Sequence, residues 1–388
     1  MCHHSKCSCG GFGLSRRELL GTVAGASVLG GFVLREATAA EAAKTAGPET
    51  PDQWPDVTVC FLRPKEKYWL GWPGTAWDTT QYEGFVKKSR DLIEKFGQEL
   101  KVRVSFEPEP LYNPEAVDKF ITKVKQTKPK GVVVFPLHMD RWGMVEKIAK
   151  NCGAPTIVFA PLGVCFTGHI QGISRLPGVY LASSTDFELG PVRYGMKMIR
   201  TNHDVRRMRI AVLAGMETKD EILEPFGLTI HRLPRQRFPD TYNTIGKTDE
   251  VMAIAEDYRK NAQKIVEPSN EDIINAARCY VASSKILKEE ECNGITMDCL
   301  GLVLEKKLPT PPCMAWCKFL DVGIPAVCEA DINAVMSHAL CCKLLDKPGF
   351  QQDPVPETVK NTFIGAHCVC GTRSVSYTHL RAHETPEH

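Results

Sequence analysis

From Val57 to Val327 the chain alternates short β-rich runs with amphipathic helical stretches, and this alternation constrains its fold more than any other feature. Residues 57–62, 102–106, 131–136 and 156–160 read as strands. Between them, Phe85, Leu92, Ile93 and Phe96, then Phe120, Ile121 and Val124, then Met144, Val145 and Ile148 recur at helical spacing. Pro114, directly after Asn113, marks the first turn of the second of these helices. Strands separated by helices cannot pair as tight hairpins, so the pattern predicts a parallel, doubly wound sheet with helices on both faces. A second α/β unit opens with the strand-like run 208–214. It continues with helices over 249–265 and 270–289, strands at 294–297 and 324–327, and a helix over 331–345. The Pro/Gly/Gln-rich stretch 347–356 reads as a linker, and 361–370 is β-like.

Both ends read as lying outside this fold. Arg16 and Arg17 precede a weakly apolar run, 21–34, and then Ala37-Thr38-Ala39. A basic segment, an apolar segment and a small-x-small cleavage site predict a leader over 1–39, of the twin-arginine type, that exports an already folded protein to the periplasm. The run is shorter than the ~20 residues a membrane span needs. At the other end, residues 375–385 resemble the translation of a sequencing-library adapter. Residues 374–388 are therefore read as a non-native tail, with the natural C-terminal part expected beyond it. The predicted domains are 55–205, 206–346 and 347–373, the last being the start of a truncated β-rich domain.

Charge and cysteine usage narrow the function classes. Lys and Arg number 48 against 46 Asp and Glu, a net charge of +2, which gives no electrostatic case for nucleic acid or for a membrane surface beyond the leader. Of 16 cysteines, only Cys2, Cys7 and Cys9 fall in the leader; the remaining odd number is scattered. That distribution suits a small apolar side chain rather than a disulfide framework. The absence of paired Cys-x-x-Cys steps argues against structural zinc. No phosphate loop, nucleophile elbow or dinucleotide fingerprint is present, which removes the support for kinase, α/β-hydrolase and nicotinamide dehydrogenase readings.

The residues left to carry chemistry are acidic. Asp298 closes one strand in Ile295-Thr296-Met297-Asp298, and Glu329 and Asp331 follow another in Val327-Cys328-Glu329-Ala330-Asp331. In open α/β sheets ligands bind beyond the carboxyl ends of the strands, so parallel strands would project all three carboxylates from one edge. Carboxylates held together repel unless a cation intervenes; oxygen donors suit Mg²⁺ or Mn²⁺, and an added imidazole favours Mn²⁺. His367, in Gly365-Ala366-His367-Cys368, is the candidate imidazole. Each residue also has a plainer reading: Asp331 as a helix N-cap, Glu329 as a solvated loop residue, Asp298 as a structural acid, His367 as a satisfied core histidine. Cys368 or Cys370 as a nucleophile lacks an adjacent base.

These three segments resemble the L-fucose isomerase and L-arabinose isomerase superfamily, the Glu-x-Asp step before a helix being the most specific match. The resemblance implies two Rossmann-like parallel-sheet domains followed by a β-rich domain, and a homo-oligomer. It implies aldose–ketose isomerisation of a free sugar, with Mn²⁺ or another divalent cation bridging the sugar carbonyl and neighbouring hydroxyl while an acidic residue moves a proton through an enediol. Carried over by motif, Asp331 matches the family's aspartate ligand and Asp298 stands near its glutamate, one methylene shorter. His367 matches a ligand or substrate-contacting histidine. On this reading Asp298 and Asp331 serve both metal and catalysis, and Glu329 and Trp77 contact the sugar. The competing expectation is an exported sugar-binding protein without turnover, stacking its ligand on Trp69, Trp72 and Trp77 and needing no metal.

Overall fold

Six of the seven residues of β1 (Asp56–Leu62) are buried on both faces of the strand, as a strand covered from two sides requires. The computed structural model describes residues 50–66, 79–185 and 187–372. β3 (Gly131–Pro136) and β4 (Thr156–Pro161) are buried throughout, whereas the edge strands β2 (Arg103–Phe106) and β5 (Val179–Ser184) are partly exposed. The order is β2-β1-β3-β4-β5, with every pairing parallel. The helices in this part are α1 (Thr79–Leu100), α2 (Pro114–Thr127), α3 (Trp142–Asn151), α4 (Thr167–Gln171) and α5 (Gly190–Arg206). Asn113 caps α2 by accepting from the Ala116 N–H at 2.9 Å, and Val117, Phe120, Ile121 and Val124 face the core. The parallel sheet expected for this half is what the structure contains. β5 lies beyond that reading: its apolar run is only four residues, Val179-Tyr180-Leu181-Ala182, and the strand is half-buried.

The second sheet is mixed. Its strands are β6 (Arg209–Leu213), β7 (Lys219–Leu223), β8 (Leu228–Leu233), β9 (Gly294–Met297) and β10 (Ala326–Cys328), in the order β10-β9-β6-β8-β7. β10, β9, β6 and β8 run parallel, but β7 turns back antiparallel on β8 through the short connection 224–227. This corrects the all-parallel expectation. Lys219, Asp220 and Glu221 make β7 too polar to read as a buried strand, and an edge position tolerates that. The sheet carries α6 (Arg237–Thr244), α7 (Asp249–Asn261), α8 (Asn270–Glu289), α9 (Cys299–Leu304), α10 (Cys313–Asp321) and α11 (Ile332–Leu340). Ala211 and Leu213 of β6 pack on one face with Tyr280, Trp316 and Phe319, while Ile210 and Val212 pack on the other with Val335 and Met336. The helix expected over 331–345 is α11 followed by one π turn, Cys341–Leu345.

The stretch read as a linker contains a strand. β11 (Asp353–Glu357) pairs antiparallel with β12 (Thr362–Ala366), setting Asp353 opposite Ala366. Pro354 and Pro356 hide β11 in the sequence, but a strand with one partner can leave their nitrogens outside the ladder. The hairpin is exposed along its length and pinned at both ends: the Gln351 side chain accepts from the buried Cys328 N–H at 3.0 Å, and Val369 is fully buried in the core of the second sheet. Among the described residues no helix is long and apolar enough to cross a membrane.

Candidate functional site

The carboxyl edge of the second sheet gathers most of the chain's candidate chemistry. β9 ends at Met297, and the next residue, Asp298, caps α9 by accepting from the Gly301 N–H at 3.1 Å. Its other oxygen accepts from Arg235 Nη1 at 2.7 Å, and Arg235 Nη2 reaches Glu305 at 2.6 Å. Asp298, and after it Glu305, holds the Arg235 guanidinium above its usual pKa. Gly301 leaves room for the pair, because a Cβ there would lie 2.5 Å from an Asp298 oxygen and 2.6 Å from Arg235 Nη1. Asp298 also stands where β6 and β9 diverge to opposite sides of the sheet, the place where open α/β sheets bind ligands.

β10 ends at Cys328 and leads into a strained turn. Glu329 and Ala330 both have left-handed backbones, with φ of +67° and +54°. A non-glycine residue in that region costs about 1–3 kcal/mol, and such strain clusters at functional sites. The turn is tied across the sheet by the Ala330 N–H, which donates to Met297 at 3.0 Å. Asp331 then caps α11, accepting from the Ala334 N–H at 2.9 Å.

Glu329 meets two residues from distant chain. One donor atom each from Glu329, Asp353 and His367 lies within 4.8 Å of the others, a spacing at which they could share an ion. The β11–β12 register sets Asp353 beside the end of β12, and His367 is the residue after it. His367 Nε2 lies 3.8 Å from Asp353 Oδ2, and its side chain is only 2 % exposed against 65 % for Asp353. The Val369 N–H approaches Nδ1 at 3.4 Å, a long contact, and Cys368 Sγ lies 3.6 Å from the same nitrogen. Binding an ion through Nε2 requires the neutral ring to carry its proton on Nδ1, turned toward the Cys368 sulfur in place of the long Val369 contact. Two carboxylates and one imidazole from three chain segments form a donor set that could hold a divalent cation.

A second group of side chains lies alongside. The sulfurs of Cys313, Cys328 and Cys368 are within 4.8 Å of one another, with Cys313 and Cys368 3.3 Å apart. Hydrogen bonding with Cys328, and secondarily with Cys368, brings the Cys313 thiol down to about 6. Cys328 is raised, chiefly by its hydrogen bonds to Cys299 and Cys313.

The sequence-selected residues are therefore brought together in part. Glu329 and His367 share one cluster, with Asp353 as the third member. Asp298 and Asp331 stand on the same sheet edge but serve separate helix caps, and neither joins a group of donors close enough for one ion among the described residues. Trp69, Trp72 and Trp77 lie outside the described residues. Asp353 escaped the sequence reading because it begins a proline-broken edge strand; the available signal was a second β-like segment, 362–366, beginning nine residues downstream. No family model matches the chain, and a search of curated proteins finds no match.

Proposed function

We propose that this protein is a divalent-cation-dependent aldose–ketose isomerase acting on a free sugar, with the cation held by Glu329, Asp353 and His367. The observation that carries this reading is the convergence of two carboxylates and a buried imidazole from separate chain segments at the carboxyl edge of a sheet, beside a strained turn. When bound, Mn²⁺ would supply Lewis-acid stabilisation of charge growing on the sugar oxygens. Glu329, Asp353 and His367 are the residues that would hold it. Asp331, two residues beyond Glu329, and Asp298, held by Arg235, are the carboxylates we assign to moving a proton between adjacent sugar carbons. Residues 1–39, read as a leader, would send this activity to the periplasm, and the active form would be a homo-oligomer.

The test is solvent exchange. Incubating the Mn²⁺-loaded protein with a panel of aldoses in D₂O should place deuterium at C1 of a ketose product and at C2 of the returning aldose. Glu329→Gln should slow this by roughly a hundredfold or more, as expected for loss of a metal ligand. A sugar that binds without exchanging deuterium would replace the isomerase with a sugar-binding protein. Exchange that Glu329→Gln leaves intact would place the chemistry elsewhere.

A further inference from the structure

We propose that Cys299, Cys313, Cys328 and Cys368 bind a single soft divalent ion of the Zn²⁺ class, at a site separate from the carboxylate–imidazole cluster. Three of the four sulfurs are within 4.8 Å of one another, and the fourth, Cys299, lies outside that spacing but interacts with Cys328. Zinc–sulfur bonds of about 2.3 Å place the corners of a tetrahedron about 3.8 Å apart, so the three close sulfurs fit one central ion, with Cys299 beside Cys328 as the fourth ligand. An iron–sulfur cluster gives each iron its own thiolate and needs them wider apart.

The placement also fits a structural ion. Cys299 is the first residue of α9, Cys313 the first of α10, Cys328 the last of β10, and Cys368 follows β12 by two residues. An ion there would fasten the hairpin to the sheet edge and to two helix starts. Cys299 and Cys328 are buried and Cys368 is exposed, which gives a closed site with one side open for entry. Four thiolates select zinc-like ions over Mn²⁺ or Mg²⁺, so the site stands whether or not the neighbouring carboxylates take a cation. Local spacing conceals it: the ligands are 14, 15 and 40 residues apart, and tertiary structure alone assembles them. Cys60, Cys152, Cys279 and Cys292, by contrast, are fully buried apolar filler without such a group.

The test uses the full chain, purified without chelator. We expect one zinc per chain by elemental analysis. After exchange into Co²⁺ we expect near-ultraviolet thiolate-to-metal charge transfer and the visible bands of a tetrahedral ion. Cys368→Ser, at an exposed position, and Cys313→Ser should each weaken the bands and lower metal affinity at least roughly tenfold, whereas Glu329→Gln should keep the zinc and the spectrum. Wild-type protein that binds no zinc and gives a Co²⁺ spectrum without thiolate charge transfer would overturn the proposal, with no reliance on any variant folding. So would a wild-type mass two hydrogens short together with a Cys313–Cys368 cross-link in the peptide map. A Co²⁺ spectrum unchanged in Cys368→Ser would overturn it as well.

Discussion

His338 is 3 % exposed on α11, and neither ring nitrogen has a hydrogen-bond partner among the described residues. Burial, and after it the nearby His367, pushes its pKa down from 6.5 to about 4. The sign follows from linkage. Between pH 6.5 and about 4 the unfolded chain takes up a proton that the folded chain refuses, so folding stability falls as the pH falls through that window. Above pH 6.5 both states are neutral at this site and the contribution vanishes. The difference amounts to about 3 kcal/mol by pH 4. In urea unfolding at pH 7, 5.5 and 4, His338→Leu should lose about that much less stability than wild type on acidification. Parallel pH profiles for the two proteins would show that His338 is not the group responsible. Sequence alone gave no warning of this residue, because a histidine in an amphipathic helix looks the same whether or not its nitrogens find partners.

Helix starts carry both scaffold and site. Asp298 and Asp331 were visible in the sequence as acids just beyond apolar strands, and both stand there. What the sequence left open was whether each carboxylate was free. Asp298 caps α9 and pairs with Arg235, a residue 63 positions away; Asp331 caps α11. An N-cap aspartate contributes about 1 kcal/mol, and asparagine replaces it with little loss. Asp331→Ala should therefore lower the melting temperature by about 2–4 °C, and Asp331→Asn should not. If isomerase activity falls in Asp331→Asn while the melting temperature holds, the carboxylate has a role beyond the cap. If both variants melt alike and early, the capping account fails.

Across the whole molecule, long-range pairing decided what could be read. The first parallel sheet was legible because three of its strands are apolar runs buried on both faces. The β7–β8 turn-back and the β11–β12 hairpin were not, because charged residues mask one strand and prolines the other. The hairpin is the element that assembles the donor cluster, since it brings Asp353 and His367 to Glu329 across gaps of 24 and 38 residues. It also brings Cys368 to Cys313 and Cys328. Glu329 and His367 were identifiable one at a time; their meeting, and their third partner, depended on a fold that no local pattern encodes.

Whether Glu329, Asp353 and His367 hold one divalent cation can be read by titrating Mn²⁺ into zinc-saturated protein while counting free Mn²⁺ by electron paramagnetic resonance. One Mn²⁺ should bind per chain, with binding weakened roughly a hundredfold or more in both Glu329→Gln and His367→Gln and near wild type in Asp298→Asn. Equal Mn²⁺ binding by wild type, Glu329→Gln and His367→Gln, or its loss only in Asp298→Asn, would contradict that assignment.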